Sequence, residues 1–445
     1  MNVTFIYPAV GRKQGKRYIS SWKMQPLPIM TMAALTPPDI GVKFYDDRLE
    51  MIDYDHDTDL VGINIEAYSA LRAYHIASKF KERGVPVVFG GYHATLMPDE
   101  ALKYGDAVVI GEAEEVWPRV LHDARNKRLK PFYKSEKRPP FGKVLPRTDI
   151  LKGNKYTPVD LIETSRGCKF NCNFCSINKY YNSTYNYRTI ESVIAEIQFR
   201  NSKSIFFVDD NIIADVKRAA ELFNALIPLN IRWISQFSID MADDENLLRL
   251  MKKSGCQGVL IGFESLNKEN LKQMGKSWNQ KLNYNVPVQK MHDTGLCIYA
   301  TFVFGYKNDD EETIKRTLDF ALKNKFYFAA FNHLQPFPGT EYYQILNNKN
   351  RLIYPEWWLN PEYTYGKIVF SPDNITPELL EQECLEARNI FYGVKSILKR
   401  GLDFKTNSSS MFLSSIFWVQ NLLAQKEVRS KWELPLGQNL DTMFK

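Results

Sequence analysis

The sequence is poor in cysteine and lacks the segments that mark secreted and membrane-spanning proteins. Only six cysteines occur in 445 residues, and Cys256, Cys297 and Cys384 stand alone, so a disulfide framework is a poor interpretation. The amino terminus shows no charged segment followed by an apolar run and a cleavage site, so no secretion signal is predicted. The apolar run in SSSMFLSSIFWVQNLLAQ is too short to cross a bilayer. We therefore expect a cytoplasmic protein with reduced thiols.

The charge balance gives little support for a nucleic-acid partner. The formal net charge is +7, but much of the excess falls within residues 126–155, where a solvated linker explains it. No recognisable nucleic-acid-binding module accompanies this charge. With 44% hydrophobic and 24% charged residues, the composition is that of a globular chain with room for two or three domains.

The first part of the chain alternates short apolar runs with helical patterns, which is typical of a parallel sheet flanked by helices. This α/β pattern predicts a Rossmann-like domain over residues 1–125. Ligands of such sheets bind at the carboxyl ends of the strands, where the sequence places NIEAYS, GGYHAT and GEAEE. The predicted strands are 3–7, 42–45, 60–65, 85–89 and 107–110.

A second β/α series follows a basic, proline-rich linker predicted at 126–157. Six units predict a partial (β/α)6 barrel over 158–345, with functional groups in the loops after the strands. The region 346–445 is predicted to be mostly helical. Its apolar run near Phe417 fits either a helix packed on the barrel or an interfacial surface or lid over a hydrophobic substrate. The predicted strands are 161–163, 205–208, 232–237, 258–263, 298–304 and 327–334.

Three cysteines crowd into one loop, SRGCKFNCNFC, directly after the first strand of this second series. The spacing of Cys168, Cys172 and Cys175 lets three thiolates converge. A structural zinc site needs four ligands, and no second cysteine or histidine pair lies nearby. A cubane iron-sulfur cluster held by three thiolates keeps one iron open to a small molecule. The cluster is therefore favoured, with a zinc or redox loop as the alternative.

This CxxxCxxC loop, with Phe174 before its last cysteine, resembles the radical S-adenosylmethionine (SAM) enzymes. The resemblance implies a 4Fe-4S cluster whose open iron chelates SAM, and cleavage of SAM to a 5'-deoxyadenosyl radical. An arginine that many members carry near Ser238 is absent, which leaves the contact to the SAM carboxylate unassigned. Cluster ligands implied by the resemblance are Cys168, Cys172 and Cys175, and SAM contacts are Phe174, Asp209, Asp210, Gln236, Ser238 and Glu264.

The amino-terminal domain resembles the cobalamin-binding domain of cobalamin-dependent radical SAM enzymes, through its GG-x-H and GE-x-E loops. The D-x-H-x-x-G motif that supplies a cobalt-binding histidine elsewhere is absent, and Ala113 replaces a more usual glycine. We expect His93 to hold backbone or a cofactor amide rather than cobalt. Cobalamin contacts implied by the resemblance are Ser69, Gly90, Gly91, His93, Gly111, Glu112 and Glu114.

The resemblance implies an enzyme that methylates an unactivated carbon, using the radical and methylcobalamin. The alternative enzymatic hypothesis is a radical SAM enzyme that forms a C–C bond, cyclises or rearranges its substrate without methyl transfer. The alternative of another class is a non-catalytic metal-binding protein. Methylthiotransferases need further cysteines before Cys168, and none is present. We expect a hydrophobic small-molecule substrate such as a lipid or tetrapyrrole, an external reductant such as flavodoxin or ferredoxin, oxygen sensitivity and peripheral membrane contact. No catalytic acid or base is assigned.

Overall fold

The computed structural model describes residues 1–276 and 283–441. Its first sheet has six parallel strands in the order β2-β1-β3-β4-β5-β6. The strands are β1 (Asn2–Tyr7), β2 (Gly41–Asp46), β3 (Leu60–Asn64), β4 (Val87–Gly90), β5 (Ala107–Ile110) and β6 (Phe132–Lys134). The helices are α1 (Leu27–Leu35), α2 (Ala70–Glu82), α3 (Tyr92–Leu96), α4 (Pro98–Tyr104) and α5 (Trp117–Arg125). The predicted Rossmann-like layering is confirmed.

Strand β6 lies inside the segment that the sequence predicts as a linker. Its register pairs Tyr133 with Val109, so the first sheet extends beyond residue 125. Only Tyr133 of its three residues is buried, and its hydroxyl donates to Asp123 over 3.0 Å. A short edge strand between lysines has no alternating apolar pattern, so the sequence of this basic stretch predicts a solvated linker.

The second sheet is an open, curved array of parallel strands in the order β14-β13-β12-β11-β10-β7. Within the described residues its end strands do not pair with each other, so the predicted partial barrel is confirmed. The strands are β7 (Asp160–Ile162), β10 (Ser204–Phe207), β11 (Arg232–Gln236), β12 (Cys256–Glu264), β13 (Cys297–Phe304) and β14 (Phe328–His333), with a small hairpin of β8 (Ser165–Arg166) and β9 (Asn186–Tyr187). The helices are α6 (Ser176–Tyr181), α7 (Ile190–Arg200), α8 (Val216–Leu226), α9 (Glu245–Lys253), α10 (Lys268–Gln273), α11 (Asn285–Asp293), α12 (Glu311–Lys323) and α13 (Glu341–Asn348).

The carboxy-terminal region is mostly helical, as predicted. It contains α14 (Pro377–Phe391), α15 (Val394–Gly401), α16 (Met411–Lys431) and a two-stranded pair of β15 (Thr364–Tyr365) and β16 (Leu434–Pro435). Leu413 and Phe417 of α16 pack on Tyr327 beside the barrel, so this apolar run is a packed helix. Among the described helices, none combines the length and apolarity that a bilayer crossing requires.

One continuous hydrophobic core joins the first sheet, the barrel and the carboxy-terminal region. Trp357 and Trp358 are fully buried in it. The indole of Trp358 donates to the Glu100 carboxylate over 2.9 Å, and Arg72 pairs with Asp441 over 2.7 Å. The last part of the chain therefore packs back onto the first domain.

Candidate functional site

The cysteine loop leaves the carboxyl end of β7, and two adjacent aspartates after β10 hold its first residues. The backbone N–H groups of Thr164 and Ser165 each donate to Asp209 over 2.7 Å. The N–H of Gly167 donates to Asp210 over 2.7 Å. Burial raises the pKa of both carboxyls to about 6, and these hydrogen bonds oppose that rise.

The sequence predicts that Asp209 contacts SAM, but in the structure its carboxylate binds the protein backbone. Its side chain is fully buried, and both oxygens are used by Thr164 and Ser165. Its carboxylate therefore positions the protein backbone that leads into the cysteine loop. The sequence could not show this, because the partner residues lie more than forty positions away.

The three thiols of the loop are half-buried and free of disulfides. Burial raises the pKa of Cys172 to about 12 and of Cys175 to about 11, so the thiolate forms need a cationic partner such as iron. Within residues 1–276 and 283–441, no group of three or more His, Cys, Asp or Glu side chains is arranged to hold a single metal ion. A cubane cluster suits this spacing, because each thiolate then binds a different iron.

The turn after α10 supports the same loop from the opposite side. The side chain of Asn173 donates to the carbonyl of Gln273 over 2.7 Å, and its backbone N–H donates to Met274 over 3.2 Å. Lys276, which follows this turn, lies close enough to Cys172 for its charge to counteract the raised pKa of that thiol. No local sequence pattern marks Lys276 as a site residue.

Glu264 and Lys276 form a shielded ion pair next to the cysteines. Lys276 Nζ lies 2.9 Å from Glu264 Oε1 and donates to the carbonyl of Gly262 over 2.6 Å. Burial disfavours the ammonium, but Glu264, together with Cys172 and Cys175, outweighs this effect and raises the pKa of Lys276. A methionyl group carries an ammonium and a carboxylate, so this pair is the electrostatic complement of that end of SAM.

The backbone around Glu264 departs from regular strand geometry at the point where the Glu264 carboxylate meets Lys276. Glu264 has φ = 62°, a left-handed conformation that costs a non-glycine residue about 1–3 kcal/mol. The register between β12 and β13 shifts between Gly262 and Glu264. A Cβ on Gly262 would lie 2.2 Å from Glu264 Oε1, so only glycine leaves room for the ion pair. Strain and bulges of this kind concentrate at functional sites.

The remaining predicted SAM contacts lie around the same end of the barrel. Gln236 ends β11 half-buried, and Phe174 packs partly buried against the main core. The hydroxyl of Ser238 donates to Asp240.

A cavity of about 720 Å³ lies between the two sheets, a volume within the usual range for ligand and cofactor sites. Six of the seven predicted cobalamin contacts line it: Ser69, Gly90, Gly91, Gly111, Glu112 and Glu114. A Cβ on Gly91 would lie 2.7 Å from Asn64 Oδ1, so the chain passes too closely there for another residue. A Cβ built on Gly111 meets no atom within 4 Å, which shows the open space beside this loop.

Glu112 and Glu114 also join the cobalamin-domain loop to the cysteine loop. Arg166, two residues before Cys168, lies 3.2 Å from Glu112 and 2.5 Å from Glu114. Arg138 pairs with Glu112 over 2.7 Å. These contacts fix the distance between the two predicted cofactor sites, and the sequence pattern gave no indication of them.

His93 does not line the cavity. It is 1% exposed, and its Nε2 lies 2.9 Å from Glu100 Oε1. Glu100 also accepts from Tyr74 and Trp358, so the histidine belongs to a buried network between the first domain and the carboxy-terminal region. The geometry does not support the predicted cofactor contact of this ring, because its carboxylate partner comes from α4 and not from the cavity.

Comparison with known proteins agrees with this arrangement. The B12 binding domain model matches residues 35–121, and the Radical SAM superfamily model matches residues 162–321. Two methyltransferases of Chlorobaculum tepidum are each 30% identical. The bacteriochlorophyllide d C-12(1)-methyltransferase aligns over 84% of both chains, and the C-8(2)-methyltransferase aligns over 88% of this chain and 91% of that one.

The fold also matches that of a solved enzyme. The radical S-adenosylmethionine methyltransferase TsrM from Kitasatospora setae, solved with cobalamin and a [4Fe-4S] cluster, superposes with a TM-score of 0.63 at 15% identity. The match covers 96% of this chain and 99% of that chain. The chain thus belongs to the cobalamin-dependent radical SAM methyltransferases, which use a 4Fe-4S cluster, SAM and cobalamin.

Proposed function

We propose that this enzyme transfers a methyl group to an unactivated carbon of a hydrophobic tetrapyrrole. The observation that carries the proposal is the open concave face of the barrel. Ile234 and Tyr299 lie on central strands, yet they are 42% and 36% exposed. Large apolar side chains in such positions are normally covered, so this face fits a large apolar ligand.

The strands show the same alternation across the sheet. Buried residues pack under the surrounding helices, and the intervening residues stay accessible on the other face. The accessible face is largely apolar and aromatic, and it includes Phe206, Leu260, Thr301, Phe328 and Ala330. Such a surface favours a broad, flat, hydrophobic substrate, which is the class that the names of the two Chlorobaculum tepidum relatives give for those enzymes.

The site residues divide by cofactor. We propose that Cys168, Cys172 and Cys175 hold the cluster, that Glu264 and Lys276 bind the methionyl end of SAM, and that the loops after β3, β4 and β5 hold cobalamin. When bound, the cluster and SAM supply hydrogen-atom abstraction, and cobalamin supplies the methyl donor. The chain itself positions these groups around the concave face. An external reductant such as flavodoxin or ferredoxin completes the system.

The test is an anaerobic assay of the reconstituted enzyme with SAM, reductant and bacteriochlorophyllide d. Mass spectrometry should show addition of one methyl group, and trideuteromethyl SAM should transfer its label. Cys172→Ala should lack iron and be inactive. Gly90→Leu should fold and lose cobalamin, because a Cβ at this cavity-lining position has only Val109 nearby, at 4.0 Å.

The outcomes separate the candidate functions. Formation of 5'-deoxyadenosine with a modified but unmethylated tetrapyrrole would replace methyl transfer by cyclisation or rearrangement. Absence of any product from bacteriochlorophyllide d, while hydrophobic substrates of another class are methylated, would overturn the tetrapyrrole assignment.

We further propose that α15 and α16 contact an anionic membrane surface during substrate uptake. Met411 is 90% exposed and Phe404 is 73% exposed, and the exposed Lys395 and Lys399 lie on the same helix as further apolar residues. The exposed apolar set is Val394, Leu398, Leu402, Phe404, Met411, Val419 and Leu422.

Co-sedimentation with phosphatidylglycerol vesicles tests this contact. The wild-type enzyme should pellet with the vesicles at low salt, and Phe404→Ser/Met411→Ser should stay in the supernatant. Met51→Ser changes an exposed methionine of the first domain and serves as the control. Equal recovery of the wild type with neutral phosphatidylcholine vesicles would contradict the role of the lysines.

A further inference from the structure

Arg388 occupies a distinctive position at the edge of the barrel. It lies in the last turn of α14, which packs against the outer face of the edge strand β14. There the ring of Phe331 packs on Phe391 at 5.7 Å, and the hydroxyl of Tyr392 donates to the carbonyl of Ala329 over 2.9 Å. Because residues alternate along a strand, Asn332 belongs to the opposite, concave face.

Arg388 nevertheless reaches Asn332. Its guanidinium donates to Asn332 Oδ1 over 2.9 Å, so the charged group passes around the edge strand to the open face. Asn332 is itself exposed. An amide oxygen orients a guanidinium without neutralising it, and four N–H donors remain for another acceptor.

The charge of Arg388 has no ionic counterpart in the part of the chain that the structure describes. No carboxylate oxygen there lies within 4.0 Å of its guanidinium nitrogens. The same charge reaches two tyrosines. Desolvation of their hydroxyl groups raises the pKa of Tyr299 and of Tyr365, and Arg388 counteracts both rises. Tyr365 lines the cavity between the sheets, and Tyr299 lies on the concave face, so Arg388 stands where these two spaces meet.

A buried polar side chain follows the end of the same strand. Gln335, three residues after Asn332, has a buried carboxamide whose nitrogen and oxygen lack hydrogen-bond partners in 1–276 and 283–441. Buried polar groups are normally satisfied, so this carboxamide marks a polar end to an otherwise apolar face.

We propose that Arg388, oriented by Asn332, binds a carboxylate on the edge of the hydrophobic substrate. A guanidinium binds a carboxylate through two parallel hydrogen bonds, which fix the direction of the ligand as well as its position. The substrate class is thus a flat apolar acid whose carboxylate lies at the edge strand while its rings cover the concave face. This inference rests on the proposed hydrophobic substrate and adds its charged group.

The test compares acids with their methyl esters on the anaerobic holoenzyme. Two fluorescent or absorbing pairs are used: pyrenebutyrate with its methyl ester, and bacteriochlorophyllide d with its methyl ester. The wild type should bind each acid about 10-fold more tightly than its ester, since a charge-assisted contact of this kind is lost in the ester. Arg388→Met should abolish the preference, Arg388→Lys should keep part of it, and Asn332→Ala should weaken it.

Arg316→Met, on the exposed face of α12, is the matched control and should leave the preference unchanged. Equal binding of acid and ester by the wild type, or an Arg388→Met variant that keeps the preference, overturns the inference. If pyrenebutyrate shows the preference but bacteriochlorophyllide d does not bind, the carboxylate site stands and the tetrapyrrole assignment falls. A variant that merely unfolds would lose both ligands of each pair alike.

Discussion

Replacing Lys276 by methionine removes one partner of the shielded ion pair beside the cysteine loop. Glu264 would then lose the 2.9 Å contact, and no other cation in 1–276 or 283–441 pairs with it. Breaking a buried pair in this way costs about 3–5 kcal/mol, and we expect the lower end because both side chains are 12% exposed. If Lys276 also binds the SAM carboxylate, affinity for SAM should fall roughly 10- to 100-fold, the equivalent of one charged hydrogen bond.

The assay must separate these two effects. Thermal unfolding of the reconstituted protein measures stability, and equilibrium dialysis with labelled SAM measures affinity. Electron paramagnetic resonance of the reduced cluster, recorded before and after addition of SAM, reports whether SAM reaches the open iron. Lys272→Met, on the exposed side of α10, is the control.

The double variant Lys276→Met/Glu264→Gln gives the decisive comparison. It removes both charges together, so stability should return to within about 1 kcal/mol of the wild type, because no uncompensated charge remains. SAM affinity should stay as weak as in the single variant or weaker. If the double variant recovers stability and also binds SAM normally, the ion pair is structural and the assignment of the methionyl site is wrong.

Three further predictions follow from other parts of the site. Burial raises the pKa of Glu66 to about 7 from 4.5, so folding binds a proton and wild-type stability falls as pH rises through that interval. Glu66→Gln should therefore be more stable than the wild type by about 3 kcal/mol at pH 8 and equal to it at about pH 4, measured by urea denaturation. Arg166→Met should lower the melting temperature and reduce both iron and cobalamin content, because it leaves Glu112 and Glu114 near each other without their shared cation; normal loading would show that the pairing is dispensable. Cys172→Ala should abolish iron binding in elemental analysis, whereas Cys256→Ala, in the core, should retain it.

The periodic elements of this fold were readable from the sequence, and their exceptions have physical causes. Strands such as β3 and β13 are continuous or alternating apolar runs between turn residues, and they form close to their predicted positions. Strand β6 buries a single side chain, Tyr133, so it leaves no pattern to detect. Its existence depends on the neighbouring strand β5, which no local window contains.

The candidate site also contains some residues whose roles the sequence predicts and others whose roles depend on the fold. The spacing of Cys168, Cys172 and Cys175 predicts a cluster site from the sequence alone, because the three residues share one short loop. The roles of Asp209 and Lys276 depend on which strand ends meet in space, so residue type alone could not distinguish a backbone-binding carboxylate from a ligand-binding one. His93 lies in a cofactor-like motif, yet α4 supplies a carboxylate that its ring contacts instead.

The packing of the chain end onto the first domain has a consequence for biosynthesis. Tyr365 lines the cavity between the sheets, and its strand is completed by pairing with Leu434. Arg72 of the first domain pairs with Asp441, and Glu100 receives its hydrogen bond from Trp358.

On the ribosome the first domain emerges several hundred residues before these partners, with its buried charges incompletely paired. The part of the cavity wall at Tyr365 therefore gains its supporting strand only after residue 434 has been made. We expect cobalamin to be loaded after this pairing has formed, and a chain truncated before residue 434 to lack the partner strand of Tyr365 at the cavity wall.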